Sequence, residues 1–363
     1  MSGRSNMTLL DPDFIRVVTT LQHEEPDRVP LAEIAIDYKI MSQFIGQKVT
    51  DDDLAGQVKF WTNAGYDYTL LTAGLMRPGG VSMDSQVSKV IQDTIVKDKT
   101  DEEDSWNIWK RARIHTEADF EAFPWHEASD LDLSKFHDVQ EYLPEGMRIV
   151  AASGKIFTMT WMLMGFENFA ANLKLNPNFS QKVIKQVAQI QLDAVKKIAT
   201  IPNVSAIWAV DDIAFGTGPI ISPHDLREYI FPWYEEFGRI CHDNGLYFFF
   251  HSDGLLWELM DDLMALGVDA LHPIDPTCMD IEQVKEKVGD RLCLMGNISN
   301  EILHNGTPKE VSALTKKRLR TVAPGGGYCL GSGNSVPDWA QIDNYRAMID
   351  TTLKYGHYPI RID

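Results

Sequence analysis

Eight short apolar segments recur along the chain, each ending in polar residues or glycine, and helix-like patterns separate most of them. Apolar runs of this length are typical of strands that are covered on both faces, as in parallel sheets. The patterns between them, such as residues 180–200 and 223–245, repeat apolar residues at helical spacing. The alternation predicts an α/β protein with a (β/α)8 TIM barrel in a single domain over residues 1–363, and a doubly wound open sheet is the alternative. The predicted strands cover residues 29–35, 67–74, 148–153, 204–212, 246–254, 268–275, 291–299 and 326–334.

Residues 82–116 interrupt this alternation. They alternate polar and apolar residues and then carry the acidic run DKTDEED and two tryptophans. Alternation with a period of two predicts a short antiparallel insertion after the second barrel strand. The acidic run indicates a solvated turn more than a binding motif.

Charge and composition narrow the classes of partner. The formal net charge of −18 would repel phosphates, which argues against nucleic-acid binding. The first residues lack the apolar core of a signal peptide, and no apolar run approaches the length of a membrane span. A cytoplasmic protein without membrane contact is therefore expected. The four cysteines show no CxxC spacing, so reduced thiols are expected in that compartment.

Polar side chains follow most of the predicted strands. The active site of a (β/α)8 barrel lies at the carboxyl ends of its strands, so these side chains are expected to converge at one mouth. Each also has a structural explanation, such as a core histidine, a turn or a helix N-cap. The set comprises Glu33, Asp37, Tyr38, Thr72, Ser153, Asp211, Asp212, His251, Asp253, His272, Asp275, Asn297, Ser332 and Asn334.

His251 and Asp253 alternate by two, so on an ideal strand their side chains point to the same side. With Asp275 from the next predicted strand they could bind a metal through one nitrogen and two oxygens, leaving an open position for substrate or water. Without a metal the same residues form an acid–base set in which Asp253 orients His251, the proton donor. The spacing leaves both possibilities open.

Several longer segments resemble the uroporphyrinogen decarboxylase superfamily. They are EEPDRVPLAEIAIDY (24–38), WMLMGFENF (161–169), VDDIAFGTGPIISPHDLREYIFPW (210–233), FHSDGLLWELMDDLMALGVDALHPIDP (250–276), and the segments at 280–299 and 325–359. The resemblance covers most of the chain except residues 82–145, and it implies a (β/α)8 barrel.

Two branches of this superfamily differ in substrate. True uroporphyrinogen decarboxylases carry an arginine-rich N-terminal stretch that grips the carboxylates of the porphyrinogen. The matching segment here, DRVPLAEIAIDYKIMSQF, has no arginine after Arg28. Because an octa-anionic substrate needs such cations, this departure argues against a role in haem synthesis.

The other branch is the cobamide-dependent methyltransferases, which move methyl groups between small substrates and the cobalt of a corrinoid protein. Members that methylate thiols bind zinc through His-x-Cys and a distant cysteine, whereas this chain has Asp253 and Asn334 at those positions. Asp275 matches a carboxylate that related zinc methyltransferases use. The HSDG sequence at 251–254 is similar to that of the methyltransferase components of O-demethylases. The resemblance therefore implies a corrinoid-dependent O-demethylase methyltransferase that cleaves methyl ethers, commonly aromatic ones.

This activity implies roles for individual residues. A poor alkoxide or phenoxide leaving group needs a proton donor or Lewis acid on the ether oxygen. The predicted catalytic residues are His251, Asp253 and Asp212, and the predicted metal ligands are His251, Asp253 and Asp275, with zinc as the metal. The predicted substrate-binding residues are Asp37, Tyr38, Asp211, Phe215, Tyr328 and Asn334, whose aromatic members would form an apolar slot for an arene.

The predicted partners follow from the same resemblance. The chain lacks a corrinoid-binding Asp-x-His-x-x-Gly motif, so the cobalamin or other corrinoid is expected on a partner corrinoid protein. Barrels of this superfamily often pair, so a homodimer is also considered. Two alternatives remain open: a decarboxylase of a smaller substrate, and a non-catalytic barrel that binds a corrinoid protein or a methylated ligand.

Overall fold

The computed structural model describes residues 11–73, 113–125 and 131–362. Of the predicted insertion at 82–116, only residues 113–116 fall within these ranges, and none of these four is in a strand. The predicted antiparallel strands at 82–112 lie outside the described residues. No helix in the described ranges is both long and apolar enough to span a membrane.

Among the described residues, a parallel sheet of seven strands is the central feature of the α/β fold. Its strand order is β1-β2-β3-β6-β7-β8-β9, and β4 pairs with β5 in a separate antiparallel hairpin. Seven of the eight predicted strands are thereby confirmed. The strands are β1 (Tyr68–Thr72), β2 (Arg148–Ser153), β3 (Val204–Val210), β4 (Ala214–Phe215), β5 (Gly218–Pro219), β6 (Tyr247–His251), β7 (Ala270–His272), β8 (Cys293–Ile298) and β9 (Tyr328–Ser332).

The segment predicted as the first strand, residues 29–35, forms a single isolated bridge. Leu31 bridges Leu330 in parallel, and Ala32 N donates to Leu330 O over 2.9 Å. Pro30 offers its carbonyl to Leu330 N but has no N–H of its own to extend a ladder. The segment therefore lies beside β9 without forming a regular strand.

Local sequence signals mark the residues at which helices begin. Before Pro308, for example, the Thr307 side chain accepts from Glu310 N and the Glu310 side chain accepts from Thr307 N. This capping box and the proline at the first helical position are standard helix starts. The described α-helices are Ile15–Leu21, Tyr38–Ile45, Leu54–Ala64, Glu117–Ala122, Ser134–Asp138, Phe157–Met164, Phe166–Leu175, Pro177–Ile198, Pro223–Asp225, Phe231–Asp243, Met260–Ala265, Ile281–Val288, Asn300–Asn305, Pro308–Thr321 and Ile342–Tyr355.

The chain divides into two compact units. Unit 1 comprises Met1–Leu70, Asp138–Ile149 and His272–Asp363, and unit 2 comprises Leu71–His137 and Val150–Leu271. The assignment of residues 1–363 to a single domain stays a prediction.

Unit 1 has a core that contains packed aromatic rings and a buried ion network. Trp61 and Tyr66 meet edge to face at 4.7 Å, and the Tyr66 and Tyr345 hydroxyls lie 2.7 Å apart. Asp67, fully buried, accepts from Arg16 over 2.7 Å and from Arg28 over 3.0 Å. A buried carboxylate is tolerable only with such partners, so this network ties the first helix to the segment before β1.

Unit 2 contains the strands that position the candidate site. Strands β3 and β6 pair in parallel, and Val210 is the partner of His251 at their carboxyl ends. Phe248, Phe249 and Phe250 are all fully buried, so both faces of β6 are covered. This explains the continuous apolar run before His251, because a strand covered on both faces cannot alternate with polar residues.

Candidate active site

The ends of β3 and β6 bring two short acidic segments together. Because Val210 pairs with His251, the residues that follow each of them lie at the same edge of the sheet. Asp211 and Asp212 follow β3, and Ser252 and Asp253 follow β6. The loops after these adjacent parallel strands therefore supply three carboxylates, close to the imidazole of His251 at the end of β6.

Asp212, His251 and Asp253 form a cluster in which each residue offers one ligand atom and all three atoms lie within 4.8 Å of one another. His251 Nε2 is 3.6 Å from Asp212 Oδ1. The His251 side chain is only 6% exposed, whereas that of Asp212 is 46% exposed. The cluster thus has one open side, on which a substrate could approach the buried imidazole.

Backbone contacts hold the two aspartates in place. Asp253 N donates to Asp212 Oδ1 over 3.0 Å, so one carboxylate oxygen of Asp212 faces both the imidazole and the following loop. Gly254 has a φ of 95°, and a Cβ at this position would meet the Ala214 carbonyl at 2.6 Å. Glycine is therefore required for the hairpin β4–β5 to approach the loop that carries Asp253.

Asp211 is turned away from solvent and holds a helix start. Its carboxylate accepts from Phe157 N over 2.6 Å and from Thr158 N over 2.8 Å, and the Tyr234 hydroxyl donates to it as well. Burial raises the pKa of this carboxyl to about 6, while the hydrogen bonds from Thr158 and Tyr234 oppose the shift. A carboxylate at the N-terminus of the helix Phe157–Met164 also interacts favourably with the helix dipole.

A family model decides the relationship of this chain to known proteins. The model described as uroporphyrinogen decarboxylase (URO-D) matches residues 132–355, more than half of the 363 residues. The chain belongs to the uroporphyrinogen decarboxylase family. The matched range includes Asp212, His251 and Asp253, so the cluster lies within the family's shared region.

Curated relatives in the uroporphyrinogen decarboxylase family match only part of the chain. The uroporphyrinogen decarboxylase of Coxiella burnetii (strain RSA 493 / Nine Mile phase I) is 28% identical over 108 residues, which are 30% of this chain and 28% of that protein. The enzyme of Aromatoleum aromaticum is 27% identical over 144 residues, which are 38% of this chain and 39% of that protein. The match thus spans less than half the length of these relatives.

A solved structure shares the fold over almost the whole chain. A methyltransferase from Methanosarcina mazei superposes with a TM-score of 0.64 at 14% identity, covering 94% of this chain and 98% of that one. At this identity the likeness shows the common fold. Together with the family match, it confirms the expected superfamily resemblance.

The other predicted site residues of unit 2 differ in exposure. Phe215 lies in the hairpin β4–β5 with 51% of its surface exposed, and its carbonyl accepts from Leu255 N over 2.8 Å. Asp211 is fully buried, and both its oxygens accept hydrogen bonds from the protein. The structure therefore gives Asp211 a structural task, and its predicted substrate contact stays a prediction.

Unit 1 holds the remaining predicted substrate-binding residues. Asp37 is exposed and caps the helix Tyr38–Ile45, and the Tyr38 hydroxyl donates to Asp51 over 2.6 Å. Tyr328 is fully buried, and its hydroxyl donates to Gly296 O over 2.5 Å. A substrate could therefore reach Tyr328 only after rearrangement. Half-buried Asn334 accepts from Ser335 N over 2.6 Å.

Asp275, the predicted third metal ligand, also belongs to unit 1. Its carboxylate accepts from Thr277 N over 2.9 Å and from Thr277 Oγ1 over 2.7 Å, which is the pattern of a local turn. The cluster that the structure assembles contains Asp212 beside His251 and Asp253. A ligand role for Asp275 stays a prediction.

Two residues near the cluster were missed by the sequence analysis, namely Ser252 and Tyr234. Ser252 lies between His251 and Asp253, and on an extended chain its side chain points to the opposite side. Tyr234 is in the helix Phe231–Asp243, and its hydroxyl donates to Asp211 and also lies 2.6 Å from Gly154 O. The spacing of residues in the sequence predicts neither contact. The only available signal was the position of Ser252 between two predicted site residues.

Proposed function

We propose that this member of the uroporphyrinogen decarboxylase family is a methyltransferase that cleaves a methyl ether, foremost an aryl methyl ether. The methyl acceptor would be the Co(I) of a corrinoid carried by a partner protein. The observation that carries the proposal is the cluster of Asp212, His251 and Asp253, whose ligand atoms lie within 4.8 Å of one another. The fold shared with the Methanosarcina mazei methyltransferase supports it.

The reaction sets a clear chemical demand. Co(I), as the attacking substrate, forms a bond to the methyl carbon and is oxidised to Co(III), while the bond between that carbon and the ether oxygen breaks. The electron pair of the broken bond stays on the oxygen, which takes up one proton. Because a phenoxide or alkoxide leaves poorly near neutral pH, a proton donor or Lewis acid at this oxygen lowers the barrier.

His251 and Asp212 are suited to supply the proton. Asp212 Oδ1 lies 3.6 Å from His251 Nε2, and a carboxylate at such a distance stabilises the protonated ring. The imidazolium can then donate to the leaving oxygen from the buried side of the site. Asp253 completes the negative charge around the ring. On this mechanism the three residues act as one acid set, with His251 as the donor.

The same three residues also fit a divalent cation such as zinc. Imidazole nitrogen and carboxylate oxygen are both zinc ligands, and three protein ligands leave the fourth position of a tetrahedral zinc open. Two ligands on one zinc are at most about 4.4 Å apart, since each bond is about 2.0–2.2 Å. Atoms within 4.8 Å of one another can therefore close on an ion with small side-chain rotations. When bound, the ion would polarise the ether oxygen.

The substrate and partner parts of the proposal rest on further residues. Phe215, half-exposed on the hairpin next to the Asp253 loop, offers an aromatic face for an arene. The chain has no Asp-x-His-x-x-Gly motif, so we expect the corrinoid to arrive on a separate protein in the cytoplasm.

The test is an anaerobic assay with free cobalamin reduced to Co(I) and a panel of methoxyphenols. Loss of the Co(I) absorbance reports methyl transfer, and the metal content of the same sample separates a Lewis acid from a proton donor. We expect transfer by the wild type and its loss in His251→Ala and Asp253→Ala. His242→Ala is the matched control, because His242 forms another His–Asp pair, 2.9 Å from Asp269, outside the cluster.

A decarboxylase of a small carboxylic acid is the second candidate. It is favoured by the curated relatives, which are uroporphyrinogen decarboxylases with 27–28% identity over their matched segments. In that case the same protein would release CO2 from a carboxylate substrate, and no ether, amine or thiol donor would methylate cobalt. This pair of results would overturn the methyltransferase proposal.

A further inference from the structure

The loops after β3 and β6 continue to run side by side beyond the last strand pair. Asp211 N donates to His251 O over 3.0 Å, and further along Leu255 N donates to Phe215 O over 2.8 Å. Between these two backbone hydrogen bonds, side-chain oxygens accept the hydrogen bonds that join the loops. Asp253 N donates to Asp212 Oδ1, and Ile213 N donates to Ser252 Oγ, each over 3.0 Å. The cluster therefore sits where side chains replace the backbone ladder.

The Ser252 hydroxyl joins the two loops through two hydrogen bonds, one accepted and one donated. Its Oγ accepts from Ile213 N over 3.0 Å and donates to Asp253 O over 2.8 Å. Ser252 is fully buried, and so is Ile213, the residue directly after Asp212. The hydroxyl thus connects the backbone beside one cluster carboxylate to the backbone of the other.

We propose that Ser252 is a positioning residue that sets the separation of the Asp212 and Asp253 carboxylates and thereby the affinity of the cluster for a divalent cation. The inference deepens the proposed function and rests on the cluster named there. Removing the hydroxyl leaves the N–H of Ile213 buried without its acceptor, which is costly enough to shift a loop. Partners of this kind, one step removed from the ion, commonly change metal affinity by about 10- to 100-fold.

The test is a titration of the metal-free full chain with Co2+ ions, followed by visible absorption. We expect Ser252→Ala and Ser252→Cys to bind Co2+ about 10- to 100-fold more weakly than the wild type, with an altered spectrum. Ser252→Thr, which keeps the hydroxyl, should recover most of the affinity and the wild-type spectrum. Far-UV circular dichroism checks that each variant is folded.

Ser180→Ala is the matched control. Ser180 is also a fully buried serine of unit 2, but its Oγ has no hydrogen-bond partner among the described residues. It should bind Co2+ like the wild type, so that a loss in Ser252→Ala cannot be ascribed to any buried serine.

Each other outcome overturns a distinct statement. If the wild type binds Co2+ and both Ser252→Ala and Ser252→Cys bind it equally well, the positioning role is wrong and the proposed function is untouched. If Ser252→Thr is as weak as Ser252→Ala, packing and not the hydroxyl controls the site, and the inference also fails. If the wild type binds no Co2+, the cation-binding part of the proposed function falls together with the inference.

Discussion

His251 Nε2 lies 3.6 Å from Asp212 Oδ1, at the carboxyl ends of two neighbouring parallel strands. The imidazole is buried and the carboxylate is half-exposed, so the pair faces outward from the core. The same Asp212 oxygen accepts from Asp253 N over 3.0 Å. This pair is therefore both the chemical centre of the proposed site and part of the link between its two loops.

Asp212→Asn separates the electrostatic role of Asp212 beside His251 from its role as acceptor for Asp253 N. An asparagine oxygen can still accept from Asp253 N, so the fold should be kept, but the negative charge beside His251 is lost. We expect methyl transfer to fall by about 10²- to 10⁴-fold, the usual contribution of general acid–base catalysis. The measurement is the rate of Co(I) consumption with a methoxyphenol. Asp243→Asn, an exposed carboxylate paired with Arg239, is the control and should keep the wild-type rate.

Asp211 and Asp212 are neighbours in sequence with opposite expected effects on stability. Asp211→Ala leaves Phe157 N and Thr158 N, both buried, without their acceptor, so the free energy of unfolding should fall by about 2–5 kcal/mol. Asp212→Ala at the half-exposed neighbour should cost no more than about 1 kcal/mol. Urea unfolding followed by tryptophan fluorescence compares the two. Equal losses would show that Asp211 does not anchor the helix Phe157–Met164.

The buried carboxyl of Glu33 in unit 1 should make the free energy of unfolding depend on pH. Burial raises the pKa of its carboxyl to about 8 from an ordinary 4.5, while hydrogen bonds from Ser332 oppose the shift. The carboxyl contacts Ser332 N over 2.7 Å and Ser332 Oγ over 2.5 Å, and the Tyr68 hydroxyl donates to the Glu33 carbonyl. The folded state therefore keeps a proton that the unfolded state has already released. Between about pH 5 and pH 8 the free energy of unfolding should fall as pH rises, by at most about 1.4 kcal/mol per unit.

The variant Glu33→Gln carries no titrating proton, so this part of the pH dependence should disappear. Urea unfolding of the wild type and Glu33→Gln at several pH values between about 5 and 8 measures the difference. Glu145→Gln, an exposed glutamate of the same unit, should retain the wild-type slope. A slope in Glu33→Gln as steep as that of the wild type would assign the effect to other groups.

Gly254→Ala tests the close approach of the hairpin to the cluster. The new methyl group would meet the Ala214 carbonyl at 2.6 Å, and the φ of 95° is strained for alanine. We expect a loss of about 1–3 kcal/mol in the free energy of unfolding and a lower rate of methyl transfer, because the Asp253 loop must shift. Gly216→Ala in the same hairpin is the control, since no atom of the described residues beyond its chain neighbours lies within 4 Å of the added Cβ. Equal behaviour of the two variants would show that the hairpin contact is unimportant.

The architecture of the sheet was largely predictable because it depends on local pattern. Phe248, Phe249 and Phe250 form a continuous apolar run, and all three are fully buried in β6 as such a run requires. The exception is the segment at 29–35, where Pro30 lacks a backbone donor and only one isolated bridge to β9 forms, between Leu31 and Leu330. The apolar pattern identified a buried segment, but the missing backbone donor prevented it from forming a regular strand.

The candidate site was predictable only in part. His251 and Asp253 were found because residues two apart at a strand end share a side, and the cluster contains both. Ser252 was missed for the same reason, since its side chain points the other way and its partner Ile213 N belongs to a distant segment. Asp211 and Asp212 look alike in sequence, yet one is fully buried and the other is half-exposed.

The sequence by itself determined the strand and helix periodicity, the polar ends of the strands and the resemblance that the family match confirms. Periodicity and motifs are properties of neighbouring residues, so a single chain displays them directly. The tertiary structure decided that β6 lies beside β3, which brings Asp212 to His251 and Ser252 to Ile213. The tertiary structure also determined which carboxylates accept hydrogen bonds from backbone N–H groups and which are exposed to solvent. These outcomes depend on the pairing of distant segments, and no local spacing encodes the distance between them.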